Sequence, residues 1–322
     1  MNYLGNYEIV QNDIKTYQYK HKPFHFIGNI KSLTNLSYNL NERVNNDLIY
    51  HDIHTIKKTS GLYVHQPIDS WLTKRYLSLN NVQKINKAAS VENVWGLNYY
   101  HSLLEELPNI LKIQKFNQTL PIICSYNNTY VKSILDYFNV KNPIIPSNEP
   151  MDIQELYLTT PIKCGNPSGE DLNIIRNYLT ETKKINFNKD TNIGILIFRK
   201  EELRNLTNVL DVYEMLLTDF PSIDWQVFDS LSFSDTVDLF NKAKIIIGPQ
   251  GAGFANMIFS PNNTKIIEFM PVSEPNIVYY DVASMLNFDY YCMPIQDTGK
   301  QNGCQMNVDI DILKNEMKNI LQ

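Results

Sequence analysis

The stretch that most constrains the fold is residues 242–271, which read KAKIIIGPQGAGFANMIFSPNNTKIIEFMP. It opens with a β-branched apolar run at 245–247, which is typical of a buried parallel strand. A glycine-rich turn at 250–253 follows, and then an apolar segment at 254–259 that predicts a short helix. A second apolar run at 266–267 predicts the next strand. This order is the repeating unit of an open α/β sheet, so we predict an α/β protein.

The glycine turn is a candidate binding site for a phosphate group. In open α/β sheets ligands bind beyond the carboxyl ends of the strands. Glycines allow backbone N–H groups to approach a phosphate, and the helix N-terminus adds a partial positive charge of about half a unit. Glu268 is expected at the end of its strand, where it would accept hydrogen bonds from ribose hydroxyls. The candidate residues of this stretch are Gln250, Gly251, Ala252, Gly253, Asn256 and Glu268. The alternative is a turn that only packs a helix on the sheet, because a glycine cluster alone has low specificity.

Two arginines follow another predicted strand, at residues 193–199. Arg199 ends this strand, and Arg204 and Asn205 lie just beyond it. Arginine is always charged and binds phosphate in a bidentate manner, so arginines at the carboxyl edge of a parallel strand suit a diphosphate. The alternative is a solvated basic loop.

An amphipathic helix is predicted from about residue 99, since apolar residues recur at helical spacing from 103 to 113. Pro108 lies inside it and predicts a kink or a new first turn. His101 and Glu105 are four residues apart and share one face, whereas Glu106 is expected to point elsewhere. The alternative is a capped, half-exposed helix start without chemistry.

Three stretches of the chain together resemble glycosyltransferase family 61. GPQGAGFANMIF followed by IIEFMP is similar to the family signature GPHGAG-L-x-N-x-x-F, which precedes a strand with a glutamate and a proline. NYYHSLLEELPNI resembles a second signature, with an aromatic-His pair, two leucines, a glutamate and a proline. IFRKEELRNLTN resembles a third, in which Asn205 or Asn208 matches the family asparagine. Gln250 stands where the family usually has histidine. The signatures cover roughly residues 95–271, in the family's order.

The resemblance implies two Rossmann-like domains facing a cleft, the GT-B architecture. We place an acceptor-side domain at 1–170 and a nucleotide-sugar-binding domain at 171–322.

The residue pattern predicts the individual elements. Strands are predicted at 121–124, 143–145, 155–159, 193–199, 225–228 and 290–295, and helices at 131–138, 168–182, 209–217, 234–240 and 277–286. Ser168 and Ser234 are expected to cap two of these helices.

The resemblance also implies an inverting, metal-independent glycosyltransferase without a cofactor. It would move a sugar from a nucleotide-sugar donor, such as UDP-GlcNAc or UDP-xylose, to a hydroxyl of a glycan or glycolipid acceptor. Capsule, lipopolysaccharide or surface glycan synthesis is the expected setting. His101 would be the general base, since all six histidines lie at or before residue 101 and this one alone falls in a signature. Glu105 would orient the imidazole or act as the base itself. The remaining alternatives are an unidentified carboxylate as base and a binding-only role for both residues.

Two other functions are considered. Gln250 in place of histidine is compatible with a catalytically inactive nucleotide-binding relative that serves as a subunit of a glycan assembly complex. A nicotinamide or adenosylmethionine enzyme fits less well, because the glycine turn lies in the second half and lacks GxGxxG spacing.

Composition excludes several further classes. The net charge is −5 and no basic block occurs, which argues against nucleic-acid binding. No signal peptide and no apolar run of ~18–20 residues is present, so we predict a cytoplasmic protein whose only membrane contact is peripheral. The cysteines at 124, 164, 292 and 304 form no CxxC pair and are expected to be reduced. His51 and His54 are interpreted as surface residues rather than metal ligands, and the D-x-D at 309–311 as a helix cap.

Overall fold

The computed structural model describes residues 2–4, 7–12, 25–27, 54–58, 62–64, 83–93, 95–126, 129–147, 151–159, 165–199 and 203–322. These residues divide into two compact units. One unit holds the described residues up to Ile175 except 25–27, and the other holds 25–27 together with the chain from Arg176 onward. Each unit is built on one sheet. The domain limits 1–170 and 171–322 stay a prediction.

The strands of the described residues are β1 (Asn2–Leu4), β2 (Tyr7–Asn12), β3 (His25–Phe26), β4 (His54–Lys58), β5 (Leu62–Val64), β6 (Gln83–Ser90), β7 (Ile122–Cys124), β8 (Ile144–Pro146), β9 (Met151–Leu158), β10 (Ile193–Ile197), β11 (Asp224–Phe228), β12 (Ala243–Pro249), β13 (Lys265–Pro271) and β14 (Asp289–Ile295). The α-helices are α1 (Tyr99–His101), α2 (Leu107–Phe116), α3 (Tyr130–Tyr137), α4 (Gly169–Lys183), α5 (Val209–Asp219), α6 (Phe233–Phe240), α7 (Val278–Met285) and α8 (Ile310–Ile320). A π-helical turn (Ser102–Glu106) joins α1 to α2, and two 3-10 helices span Ala252–Phe259 and Lys300–Asn302.

The sheet of the first unit has a parallel core. Four parallel strands lie side by side in the order β9, β6, β7, β8. β4 and β5 pair with β9 in the antiparallel sense and pair in turn with β2 and β1. Helices α2 and α3 share a buried apolar cluster with β6 and β7, which includes Ala89, Ile110, Ile113, Ile122, Val131 and Leu135. Because α1 follows β6, the helix carrying His101 begins beyond the carboxyl end of a parallel strand.

Pro108 explains the π-helical turn. Proline lacks a backbone N–H, and inside a helix its ring clashes with the carbonyl four residues earlier. Here Leu107 N donates to Ser102 O, five residues back, and Pro108 occupies the start of α2, where an N–H is not needed. The prediction of a new first turn at this proline is confirmed.

The sheet of the second unit is parallel throughout, in the order β11, β10, β12, β13, β14, β3. Apart from β3, this is the doubly wound, Rossmann-like order in which the direction of winding reverses between β10 and β12. Ligands of such sheets bind outside the carboxyl ends of the strands at the point of reversal. β12 is buried at every position except Lys244, as its β-branched run predicts. Helices α5 and α8 pack on this sheet through an apolar cluster that includes Leu196, Val212, Leu216, Ile245, Ile247, Ile267, Leu313 and Met317.

Most elements predicted from the sequence are confirmed within a few residues, two details differ or are refined, and one capping interpretation is tested. Ser232 rather than Ser234 caps α6, because its side chain accepts from Asp235 N. The helix after the glycine turn is a 3-10 helix. Asp309 caps α8 by accepting from Ile312 N at 3.0 Å, which confirms the capping interpretation of the D-x-D.

The remaining expectations concern cysteines, metals and membranes. Cys124, Cys292 and Cys304 are buried free thiols, while Cys164 and His51 lie outside the described residues. His54 begins β4. Within the described ranges, no three His, Cys, Asp or Glu side chains lie close enough together to hold a metal ion. Among the same residues, no helix has the length and apolar character needed to span a bilayer.

Candidate functional site

His101 and Glu105 form a hydrogen-bonded pair in the first unit. Nδ1 of His101 lies 2.7 Å from Oε2 of Glu105, and the two side chains are 15% and 1% exposed. Asn98 caps the start of this helix by accepting from Tyr100 N at 3.2 Å. The helical spacing predicted from the sequence therefore produces a real contact, with the imidazole at the surface and the carboxyl group beneath it.

Glu105 is held from three sides. Besides His101, its carboxyl group accepts from Gly165 N at 2.7 Å and from Asn93 Nδ2. Tyr100 Oη donates to Gly165 O at 3.3 Å, which fixes this glycine from its other side. Gly165 has φ of 81°, a left-handed conformation that favours glycine.

These contacts favour one histidine tautomer. Gly165 N and Asn93 Nδ2 already donate to this carboxyl group, so the nitrogen that faces Glu105 is assigned as a third donor. His101 then carries its proton on Nδ1 and its lone pair on Nε2. The pair therefore has the arrangement of a general base with its orienting carboxylate.

Glu106 is a buried carboxyl group that sequence reasoning missed. It is 1% exposed and accepts from Asn93 N at 2.9 Å and from Ser125 N at 3.4 Å. Burial raises the pKa of Glu106 to about 7, against the lowering effect of these hydrogen bonds. Both carboxyl groups are buried and both accept from Asn93, so the prediction that Glu106 points elsewhere is not confirmed. Pro108 predicts a new first turn, but the sequence does not show that the turn is π-helical.

The residues that donate hydrogen bonds to Glu105 and Glu106 include two that follow parallel strands. Asn93 follows β6 and Ser125 follows β7. Asn93 joins the two carboxyl groups, since its N–H donates to Glu106 and its side chain donates to Glu105. Gly96 lies against the carboxyl group of Glu106, because a Cβ on this glycine would be 2.1 Å from Glu106 Oε1.

In the second unit, Arg199 lies over the glycine turn. Its Nε donates to Leu203 O at 3.1 Å and its Nη1 donates to Gln250 O at 3.3 Å. A Cβ added to Gly251 would lie 1.9 Å from Nη1 of Arg199. Gly251 has extended backbone, so glycine is required here for space rather than for a special conformation. Any side chain at residue 251 would displace this guanidinium.

Arg204 reaches the same turn from a different direction. Its backbone has φ of 56°, which is uncommon for a residue with a side chain, and its N–H donates to Gly303 O at 2.6 Å. Nη1 of Arg204 donates to Oε1 of Gln250 at 3.2 Å. Both predicted arginines therefore converge on the segment Gln250–Gly251, beyond the carboxyl ends of β10 and β12.

Glu268 differs from its prediction. It is the fourth of seven residues in β13 rather than at the strand end, and it is fully buried. It accepts a hydrogen bond from Tyr290 Oη. Burial raises its pKa to about 8, although Tyr290, Gln250 and Arg204 act to lower it. A carboxyl group without exposed surface cannot accept hydrogen bonds from a ribose. Glu268 instead interacts with Gln250 and Arg204 from the protein interior.

The other predicted residues of this unit lie close by along the chain and have smaller roles. Ala252 begins the 3-10 helix, and a Cβ on Gly253 would be 3.0 Å from Ile197. Asn256 is buried and its side chain donates to Gly253 O at 3.0 Å, so it stabilises the turn.

The two asparagines that follow Arg204 are distinguished by their contacts. The Asn208 side chain donates to Val308 O and accepts from Val308 N, both at 2.9 Å, so it fixes the start of α5 to the chain before α8. Oδ1 of Asn205 is buried and has no hydrogen-bond partner among the described residues. Asn205 is therefore the one whose side chain retains an unused acceptor.

Comparison with known proteins agrees with this geometry. The family model described as Glycosyltransferase 61 matches residues 99–267, which run from the start of α1 into β13. Comparison with curated proteins finds no significant match to the chain. The matched range contains His101, Glu105, both arginines and the glycine turn, and it covers more than half of the sequence. The chain belongs to glycosyltransferase family 61.

Proposed function

We propose that this glycosyltransferase moves a sugar from a nucleoside-diphosphate donor, UDP-linked, to a hydroxyl group of a glycan or glycolipid acceptor with inversion. The observation that carries the proposal is the convergence of Arg199 and Arg204 on the turn Gln250–Gly251, at the point where the winding of the second sheet reverses. Two arginines and the backbone N–H groups after Gly251 suit the two phosphates of such a donor.

The chemistry is a single in-line displacement at the anomeric carbon. The acceptor oxygen forms a bond to that carbon as the bond between the carbon and the β-phosphate oxygen breaks. The acceptor proton passes to Nε2 of His101, and Glu105 stabilises the imidazolium through Nδ1. The leaving nucleoside diphosphate gains negative charge, which Arg199 and Arg204 neutralise, so the reaction as proposed requires no metal ion.

The broader setting is also proposed from family membership. We infer the GT-B architecture, with the donor held by the second unit and the acceptor by the first. We place the reaction in the cytoplasm, in the synthesis of a capsule, lipopolysaccharide or surface glycan.

The inactive, binding-only alternative loses its main support. It depended on Gln250 in place of histidine, but Gln250 is 1% exposed and contacts Arg204. A proton acceptor is already provided by His101, so an amide at residue 250 leaves the base intact.

A ligand panel tests the donor part of the proposal. UDP, GDP, CMP and UDP-sugars are compared by thermal shift, since a ligand at one hundred times its dissociation constant adds about 2.7 kcal/mol to the free energy of unfolding. UDP and one UDP-sugar should raise the melting temperature most. UDP release from that sugar should continue in EDTA, and complete loss with rescue by manganese would disprove metal independence.

Two variants test the residues. Gly251→Val displaces the Arg199 guanidinium and Arg204→Ala removes a charge, so each should weaken UDP binding about ten- to hundredfold in calorimetry. Lys318→Ala serves as the control, because it removes a charge from the exposed face of α8. Unchanged UDP affinity in both site variants would remove the diphosphate site from this turn.

A further inference from the structure

Gln250 makes four hydrogen bonds inside the protein. Its side-chain Oε1 accepts from Arg204, and its Nε2 donates to Asn276 O at 2.9 Å. Its backbone N–H donates to Phe269 O at 3.0 Å, and its backbone carbonyl accepts from Arg199. With 1% of its surface exposed, the residue lacks the surface to contact a donor directly.

Arg204, in contrast, is only partly buried, and its backbone conformation is unusual. A non-glycine residue in the left-handed region is held there by its surroundings, and such outliers concentrate at binding sites. Two hydrogen bonds hold it: its N–H donates to Gly303 O and its guanidinium donates to Gln250. The first fixes the backbone and the second fixes the direction of the charged end.

A buried polar group stands behind this contact. Gln250 and Arg204 both act to lower the pKa of Glu268, which is fully buried and accepts a hydrogen bond from Tyr290. Oε1 of Glu268 has no hydrogen-bond partner among the described residues. An amide at residue 250 therefore lies beside a buried carboxyl group to which its NH₂ can donate.

We propose that Gln250 is a positioning residue, which does not touch the donor but aims the Arg204 guanidinium at the donor diphosphate. This inference rests on the proposed function, since it assumes a diphosphate beside Arg204. An amide suits the task because its oxygen accepts from arginine and its nitrogen donates to a backbone carbonyl at every pH. A histidine at the same position would lose its acceptor when protonated.

A double-mutant cycle with UDP tests the proposal. Gln250→Met keeps the length of the side chain and removes its polar ends. UDP affinity, measured by calorimetry, should fall about five- to twentyfold for this variant and about ten- to hundredfold for Arg204→Ala. In the Arg204→Ala background, Gln250→Met should change UDP affinity by less than about twofold, because both residues act through the same contact.

Uridine separates positioning from a general loss of structure. Uridine lacks the diphosphate, so ligand-observed NMR should give the same uridine affinity for Gln250→Met and the wild type. Gln250→Asn is the second variant in case the methionine variant does not fold. It keeps the amide but draws the oxygen away from Arg204 by about one C–C bond, and it should likewise weaken UDP and not uridine.

The outcomes are separable. A wild-type protein that fails to bind UDP contradicts the proposed donor site itself. Wild-type UDP binding with unchanged affinity in both Gln250 variants overturns the positioning role. The positioning role is also overturned if Gln250→Met lowers UDP affinity equally with and without Arg204. It is overturned as well if the Gln250 variants lose uridine affinity by the same factor as UDP affinity.

Discussion

At the scale of single residues, Glu105 determines what His101 can do. The carboxyl group accepts from Gly165 and Asn93 and faces Nδ1 of His101, an arrangement that favours the tautomer with its proton on Nδ1. His101→Ala removes the base while leaving the arginine cluster of the second unit unchanged. Turnover of the UDP-sugar should fall ~10²–10⁴-fold, the usual range for a lost general base, with little change in UDP affinity.

Glu105→Gln is the matched variant for this prediction. Its amide has one acceptor oxygen for three donors, so its NH₂ must oppose one of them and the tautomer of His101 is no longer fixed. Turnover should fall by a comparable factor, again without loss of UDP affinity. Near-normal turnover in His101→Ala would exclude this histidine and return the choice of base to a carboxylate.

The sequence predicts some of these residues and not others. His101 and Glu105 follow from helical spacing, because residues four apart must lie on one face. Arg199, Arg204 and Gly251 follow from their positions after predicted strands. Glu106 could not be assigned, since the direction of its side chain depends on a π-helical turn.

The burial of Gln250 and Glu268 could not be predicted for a related reason. Their positions near strand ends suggest side chains that face a ligand, but Gln250 is buried against Arg204 and Glu268 is buried against Tyr290. Burial depends on how strands pack, and a list of residue types in order does not contain that information.

At the scale of elements, both candidate sites are made from loops at the carboxyl ends of parallel strands. Gly165 is the loop residue that holds Glu105, the proposed partner of the base. Its φ of 81° and its N–H to Glu105 are needed together. Gly165→Ala should reduce the free energy of unfolding by about 1–2 kcal/mol, because an alanine is strained in this conformation. Turnover should fall by more than the loss of stability accounts for, because Glu105 loses a hydrogen-bond donor.

Gly299→Ala is the matched control for this glycine. Gly299 has φ of 84° and belongs to the other unit, so the same backbone strain arises without contact to Glu105. Chemical denaturation should show a similar loss in both variants, and steady-state turnover should fall only for Gly165→Ala. Equal turnover in the two would show that Gly165 has a structural role alone.

The elements themselves are predicted unevenly. β12 and β13 are recognised because a buried parallel strand is a short β-branched run, and the glycine turn marks where β12 ends. The pairing of β3 with β14 is beyond such reasoning, since His25–Phe26 has no periodicity and its partner lies far along the chain. Ser232 and Ser234 are both good caps, and only backbone geometry selects Ser232.

At the scale of the whole molecule, two buried carboxyl groups make stability depend on pH. Burial raises the pKa of Glu106 to about 7 and that of Glu268 to about 8. A group whose folded-state pKa is above its unfolded value binds its proton more tightly in the folded protein. Its stabilising contribution is complete below about pH 4.5 and is lost as pH rises through the folded-state pKa.

The free energy of unfolding should therefore fall between pH 5 and pH 8, by on the order of a few kcal/mol for the two groups together. Asp297 has a lowered pKa, so its contribution is lost only as the solution becomes strongly acidic, outside this window. Denaturant unfolding at pH 5, 6, 7 and 8, followed by both fluorescence and circular dichroism, measures the slope of the free energy of unfolding against pH.

The double variant Glu106→Gln with Glu268→Gln should flatten this slope, because neither amide titrates. Glu214→Gln, on the exposed face of α5, should leave the slope as in the wild type. A double variant with the wild-type slope would mean that both carboxyl groups ionise in the folded protein as they do in the unfolded chain.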